Sequence, residues 1–148
     1  MKSRETAQHA ETRSFETICR EHGLNVTPQR TAIYQELITS KEHPSAVALL
    51  SRIRKKFPNI SLDTVNRTLL TFHEIGLVRV VESSGDPKRF DPNLEPHHHF
   101  RCVSCGTIVD FEHDGYDRLD VPADIAEKYL IQEKVVHLKG ICDNCRKK

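Results

Sequence analysis

Apolar residues recur at helical spacing through the first part of the chain and then give way to short extended runs. Residues 1–13 are polar and carry no period, which predicts a frayed start. Phe15, Ile18, Cys19 and Leu24 begin a helical pattern that stops near Gly23. Thr27-Pro28 opens the next helix, because Thr supplies a capping oxygen and Pro suits the first helical position. Ile33, Leu37 and Ile38 give it an apolar stripe. Pro44-Ser45 starts another, carrying Leu49, Leu50, Ile53 and Phe57 up to the break at Pro58-Asn59. Ser61 caps a further helix with Val65, Leu69 and Phe72 on one face and Gly76 as its stop. Leu77–Val81 reads as a strand, Ser83-Ser84-Gly85-Asp86-Pro87 as a turn, and Lys88-Arg89-Phe90 as the start of a returning strand. Helices followed by a β-hairpin outline a winged helix-turn-helix.

The helix from Ser61 to Ile75 is the candidate recognition helix. Its apolar side is committed to a core, and its other side offers Asp63, Thr64, Asn66, Arg67 and Thr71. Arg bonds guanine in two places, Asn does the same for adenine, and Thr can touch a thymine methyl or a phosphate. An ordinary amphipathic helix also has a polar outside; the order of helices and wing is what favours double-stranded DNA.

Composition narrows the organisation. The chain has 148 residues, 37% of them hydrophobic, and no Trp, so two small domains are expected rather than one large core. Each would bury little surface and would need a staple, a metal or a dimer interface. No apolar run approaches the roughly 20 residues that span a bilayer, and the first residues form no apolar signal core, so a soluble, cytoplasmic protein without membrane partners is expected. Charge divides unevenly. Met1 to Phe90 carries 14 Lys and Arg against 10 Asp and Glu, and Asp91 to Lys148 carries 8 against 11. That suits a front half facing nucleic acid and a back half attracting cations, or simply two solvated surfaces.

The second half carries metal chemistry. Cys102-Val103-Ser104-Cys105 and Cys142-Asp143-Asn144-Cys145 are two C-x-x-C pairs, each placing two thiolates on a tight turn. Two such turns facing each other make a tetrahedral four-sulfur site for structural Zn²⁺. Gly106 follows the first pair as a knuckle turn requires. A redox dithiol or a disulfide framework is the other reading, disfavoured by a second pair and by a reducing compartment. Cys19, on its helical stripe, reads as a small core residue. Ahead of the first pair lies Pro96-His97-His98-His99-Phe100. On a strand, His97 and His99 point to one face and His98 to the other, so two imidazoles can grip one divalent ion. Asp91 lies upstream at the domain junction, and Asp110 lies on an apparent strand, Thr107–Phe111. A His and carboxylate set suits Fe²⁺, Mn²⁺ or Zn²⁺. A surface histidine cluster with casual metal affinity is the alternative.

Several motifs together resemble those of the ferric uptake regulator family. They are Val26-Thr27-Pro28-Gln29-Arg30, His43-Pro44-Ser45-Ala46, Leu62-Asp63-Thr64-Val65-x-Arg67-Thr68-Leu69, Gly76-Leu77-Val78, Arg89-Phe90-Asp91, His97-x-His99-x-x-Cys102-x-x-Cys105-Gly106 and the terminal Cys142-x-x-Cys145. They run in order from about Phe15 to Cys145. The resemblance implies an α+β chain that forms a homodimer and represses transcription from a palindromic operator. Residues 1–88 would be a winged-helix DNA-binding domain with its N-terminal extension and hinge, the hinge lying near Ser83–Pro92. Residues 89–148 would be a small α/β dimerisation and metal-sensing domain with the four-cysteine zinc site. It also implies a regulatory site for Fe²⁺ or Mn²⁺, with His43, Asp91, His97, His99 and Asp110 as ligands. A metal taking ligands from both domains would favour the arrangement competent for DNA.

Asp110, where an iron-sensing member usually carries Glu, and Asp91 resemble the peroxide-sensing branch, in which the ferrous form reacts with hydrogen peroxide and a ligand histidine is oxidised. His43 and His97 are the candidates for that oxidation. Arg67 looks more like the iron-uptake branch. Asn66 stands where the family usually has Tyr, a departure that bears on the operator sequence and not on the fold. His98 and Asp117 could belong to an additional His and acid site, but His137 falls nearer the last C-x-x-C than that pattern wants. An enzyme is the competing class: a zinc deaminase needs His-x-Glu shortly ahead of its cysteines and an open zinc position, and the His-x-Glu of this chain, His9-Ala10-Glu11, lies at the far N-terminal end and not beside either pair. A zinc-ribbon interaction module is a third class, against which the recognition helix and wing argue.

Overall fold

The computed structural model describes residues 15–81 and 87–148. The polar start and the Ser83–Asp86 part of the turn expected above lie outside the described residues. The chain divides into two compact units, one running to Leu94 and the other spanning Glu95–Lys148.

In the first unit, residues 15–21 form α1. α2 (Pro28–Thr39), α3 (Ala46–Ile53) and α4 (Leu62–Glu74) follow, then β1 (Arg79–Val81) and β2 (Arg89–Asp91). Each of the three longer helices starts where a hydroxyl can cap it. Thr27 Oγ1 accepts from the Arg30 N–H, Ser45 Oγ from Ala48, and Ser61 Oγ from Thr64. α3 ends at Ile53, one turn earlier than its apolar spacing suggests. The Phe57 N–H still bonds the Ile53 carbonyl at 2.8 Å, so Phe57 packs on the core from the turn rather than from the helix. Gly23 and Gly76 take positive φ of 68° and 80° at the helix stops assigned to them.

α1, α2 and α4 meet through aromatic rings. Phe15 stacks on Tyr34 at 4.5 Å between centroids, and Phe72 meets Phe15 edge-on at 5.6 Å. Leu37, Leu49, Ile53, Val65, Leu69 and Phe90 complete this core. Cys19 lies in it fully buried, and burial raises its thiol pKa. β1 and β2 pair antiparallel with Val80 opposite Phe90, which is the hairpin of a winged helix. Arg89–Asp91 is half of this hairpin, and the first unit runs past it to Leu94.

The second unit is a three-stranded sheet in the order β4-β3-β5, with β3 (His98–Cys102), β4 (Ile108–Phe111) and β5 (His137–Gly140). β3 and β4 are antiparallel neighbours, and β3 and β5 are parallel. The crossover carries α5 (Asp114–Asp117) and α6 (Ala123–Ala126), and α7 (Asp143–Arg146) closes the chain. Among the described residues of this unit, Cys102 and Ile108 are the buried hydrophobic ones, while Leu119, Tyr129, Leu130 and Ile141 stand exposed. No helix among the described residues is long and apolar enough to cross a membrane.

Candidate metal centres

Strand register builds the sulfur site. β3 and β5 run parallel with Cys102 beside Gly140, and the Val103 N–H bonds the Gly140 carbonyl at 2.8 Å. The two C-x-x-C segments therefore leave the sheet at the same end. Gly106, at φ +75°, turns the first segment back so that its N–H reaches the Cys102 carbonyl at 2.9 Å. Cys142 caps α7 and Cys145 lies one turn into it. One sulfur from each of Cys102, Cys105, Cys142 and Cys145 lies within 4.8 Å of the others. Zn–S bonds of about 2.3 Å at tetrahedral angles would put sulfurs about 3.8 Å apart. Cys105 Sγ and Cys142 Sγ are 3.8 Å apart.

The acid–base behaviour of Cys102, Cys105 and Cys145 also fits a cation. The backbone N–H groups of Cys105 and Cys142 hold the Cys102 thiol down at about 6. The Thr107 hydroxyl and N–H lower Cys105. Cys145 is pushed up to about 12: the Ser104 hydroxyl works downward, but the Cys142 sulfur, burial and the sulfurs of Cys105 and Cys102 outweigh it. Four sulfurs this close cannot all ionise unless a positive charge sits among them.

The histidines separate into two kinds. Asp110 on β4 stands directly across from His99 on β3, and His97 lies two residues back on the same side. Asp110 Oδ1 is 3.4 Å from His97 Nε2 and 3.3 Å from His99 Nε2. The two rings lie edge-on at 4.6 Å. Donors about 2.1 Å from one ion are separated by about 3.0 Å at right angles and about 3.4 Å at tetrahedral angles, so these spacings suit a shared divalent cation. Tautomer chemistry sharpens the point. His97 Nδ1 lies 2.6 Å from the Glu95 carbonyl, which can only accept, so Nδ1 carries the proton. In the neutral ring, Nε2 then presents a lone pair to the Asp110 carboxylate, a repulsive pairing that a cation or a second proton resolves.

His98 is different. The Val136 N–H donates to its Nδ1 at 3.1 Å, so its Nε2 carries the proton and donates to Asp117 Oδ1 at 2.9 Å. Both nitrogens are satisfied without an ion, and this pair is a tie between β3, α5 and the start of β5. His137 lies instead beside His99, the rings stacked at 5.3 Å. The sequence missed this neighbour; its signal was the parallel register, which puts residue 137 beside residue 99.

In the first unit, His43 Nε2 and Asp91 Oδ2 lie 3.1 Å apart, both side chains buried. His43 takes φ +49°, a left-handed conformation uncommon outside glycine and the place to look for function.

The candidate DNA face follows from α4. Asp63 and Arg67 are exposed and paired at 3.0 Å, while Thr64 and Asn66 are half-buried. The Thr71 hydroxyl donates to the Arg67 carbonyl, which leaves it less free for a partner than its position suggests. Beside the helix lies a groove of about 410 Å³ lined by Ser45, Val47, Leu62, Asp63, Asn66 and Lys88, among others. Val47 and Leu62 were not singled out in the sequence as lining such a groove; the signal would have been apolar residues in the first turns of two helices, outside either core stripe.

The ferric uptake regulator family profile matches residues 21–140. The peroxide operon regulator of Bacillus subtilis is 35% identical over 142 residues, covering 96% of this chain and 97% of that protein. The Helicobacter pylori ferric uptake regulator, a solved structure described as having three functional metal binding sites, superposes with a TM-score of 0.81 at 21% identity over 95% of this chain and 94% of its own. The Campylobacter jejuni peroxide stress regulator superposes at 0.65 with 29% identity, covering 87% of this chain and 97% of its own. The chain belongs to the ferric uptake regulator family.

Proposed function

We propose that the protein is a metal-dependent, DNA-binding repressor that responds to peroxide. Cys102, Cys105, Cys142 and Cys145 hold a structural Zn²⁺, and His43, Asp91, His97, His99 and Asp110 serve a regulatory Fe²⁺ or Mn²⁺. Residues to Leu94 bind DNA; Glu95–Lys148 dimerise. The observation that carries the reading is at Asp110. One carboxylate faces two imidazole Nε2 atoms at 3.3–3.4 Å, and the hydrogen bond from His97 Nδ1 to the Glu95 carbonyl aims a lone pair at it. The same motif set with Asp at position 110, and 35% identity to a peroxide operon regulator, support a peroxide response over plain iron sensing. Bound there, Fe²⁺ would supply the one-electron chemistry that peroxide requires, and His43 and His97 would present the oxidisable rings. Four cysteines fill a tetrahedral zinc and leave no position for substrate, which supports a regulator over a hydrolase or deaminase.

The first test is operator binding with and without Mn²⁺. Binding should require the second ion, and His43→Ala should weaken DNA binding while leaving the dimer intact. DNA binding of equal strength in the absence of any second ion would overturn the reading.

A further inference from the structure

We propose that Arg89 is a positioning residue that sets His43 for metal binding by clamping the backbone on which it sits. His43 is held in a left-handed conformation at φ +49° and is buried, so its ring direction depends on how firmly residues 42–45 are fixed. The fixing comes from β2. The Arg89 guanidinium donates through Nε to the His43 carbonyl and through Nη2 to the Glu42 carbonyl, the latter at 2.7 Å. The next residue, Phe90, donates its N–H to the Pro44 carbonyl at 3.1 Å, and Ser45 bridges Arg89 as an isolated strand pair.

One short strand thus does two things. Arg89 and Phe90 hold the backbone of residues 42–45, and Asp91, two residues on, meets the His43 ring at 3.1 Å. The forked guanidinium is what allows two successive carbonyls to be held at once. A lysine ammonium reaches one point and lacks the planar fork. Arg89 is itself half-buried, and burial lowers its pKa, but its charge persists at any working pH. Its reach is to main-chain oxygens, so it acts on the site through His43 and not as a ligand.

This inference rests on the reading of His43 and Asp91 as ligands, and its test separates the two. Second-site Co²⁺ affinity and absorption spectrum are measured on the zinc-loaded dimer for wild type, Arg89→Ala, Arg89→Lys, His43→Ala and the double variant. Arg89→Ala should lose roughly 10–100-fold in affinity, the range for residues that orient metal ligands, with the four-cysteine zinc retained. Arg89→Lys should recover part of the loss. Because Arg89 acts through His43, the double variant should lose no more than His43→Ala alone. Fully additive losses, or an unchanged affinity in Arg89→Ala, would overturn the proposal. If wild type takes no second ion, the ligand reading fails. The clamp is then judged in protein holding zinc alone from the imidazole nitrogen resonances of His43, which shift in Arg89→Ala if the clamp orients the ring and stay in place if it does not.

Discussion

Asp110 holds the shortest path from geometry to chemistry, because one carboxylate oxygen faces two imidazole nitrogens at hydrogen-bond range. Asp110→Ala should lower second-ion affinity by about 10-fold or more while the four-sulfur zinc stays bound, as measured by metal titration of the zinc-loaded protein. At the sulfur site the expectation is the reverse: Cys105→Ser leaves three thiolates, and zinc per chain should fall well below one on elemental analysis. The cysteines and the histidine pair were legible in the sequence because local spacing encodes them, whereas Asp110 entered as a ligand through the family resemblance. C-x-x-C gives two sulfurs on one turn, and alternation on a strand gives two imidazoles on one face. Arg89 was not legible in this way. Its partners are main-chain oxygens more than forty residues away, and no side-chain pattern records such a contact.

α4 joins the core to the proposed DNA face, so changes on its two sides should separate. Phe72 is fully buried and touches both Phe15 and Tyr34. Phe72→Ala should cost about 3–5 kcal/mol, read by urea unfolding of the first unit. Arg67 is exposed, and its partner Asp63 is also exposed, so that ion pair adds little to stability. Arg67→Ala should leave unfolding unchanged and weaken operator binding by about 1–3 kcal/mol if Arg67 reads a base. The helix and its cap were legible because Ser61, the apolar stripe and Gly76 agree on one element. The early end of α3 was not, because Phe57 keeps the helical period while lying beyond the last helical residue. Packing fixed its position, and periodicity alone could not distinguish the two.

The two units differ in what holds them. The first has a continuous apolar core, whereas the second buries few apolar side chains and leaves Tyr129 and Leu130 exposed. A unit so poor in core needs its zinc and a partner surface. Removing zinc with a strong chelator should therefore dissociate the dimer and unfold the second unit while the helices of the first persist, which sedimentation and circular dichroism would read. The central claim is that a His and Asp site makes DNA binding depend on metal and, with iron, on peroxide. Its most direct test is operator affinity of the Fe²⁺-loaded and Mn²⁺-loaded protein before and after hydrogen peroxide, with mass spectrometry of the histidine peptides. The account predicts that the iron form loses DNA affinity and gains oxygen on His43 or His97, while the manganese form keeps both its affinity and its mass. An iron form that keeps its affinity and shows no modified histidine would contradict it.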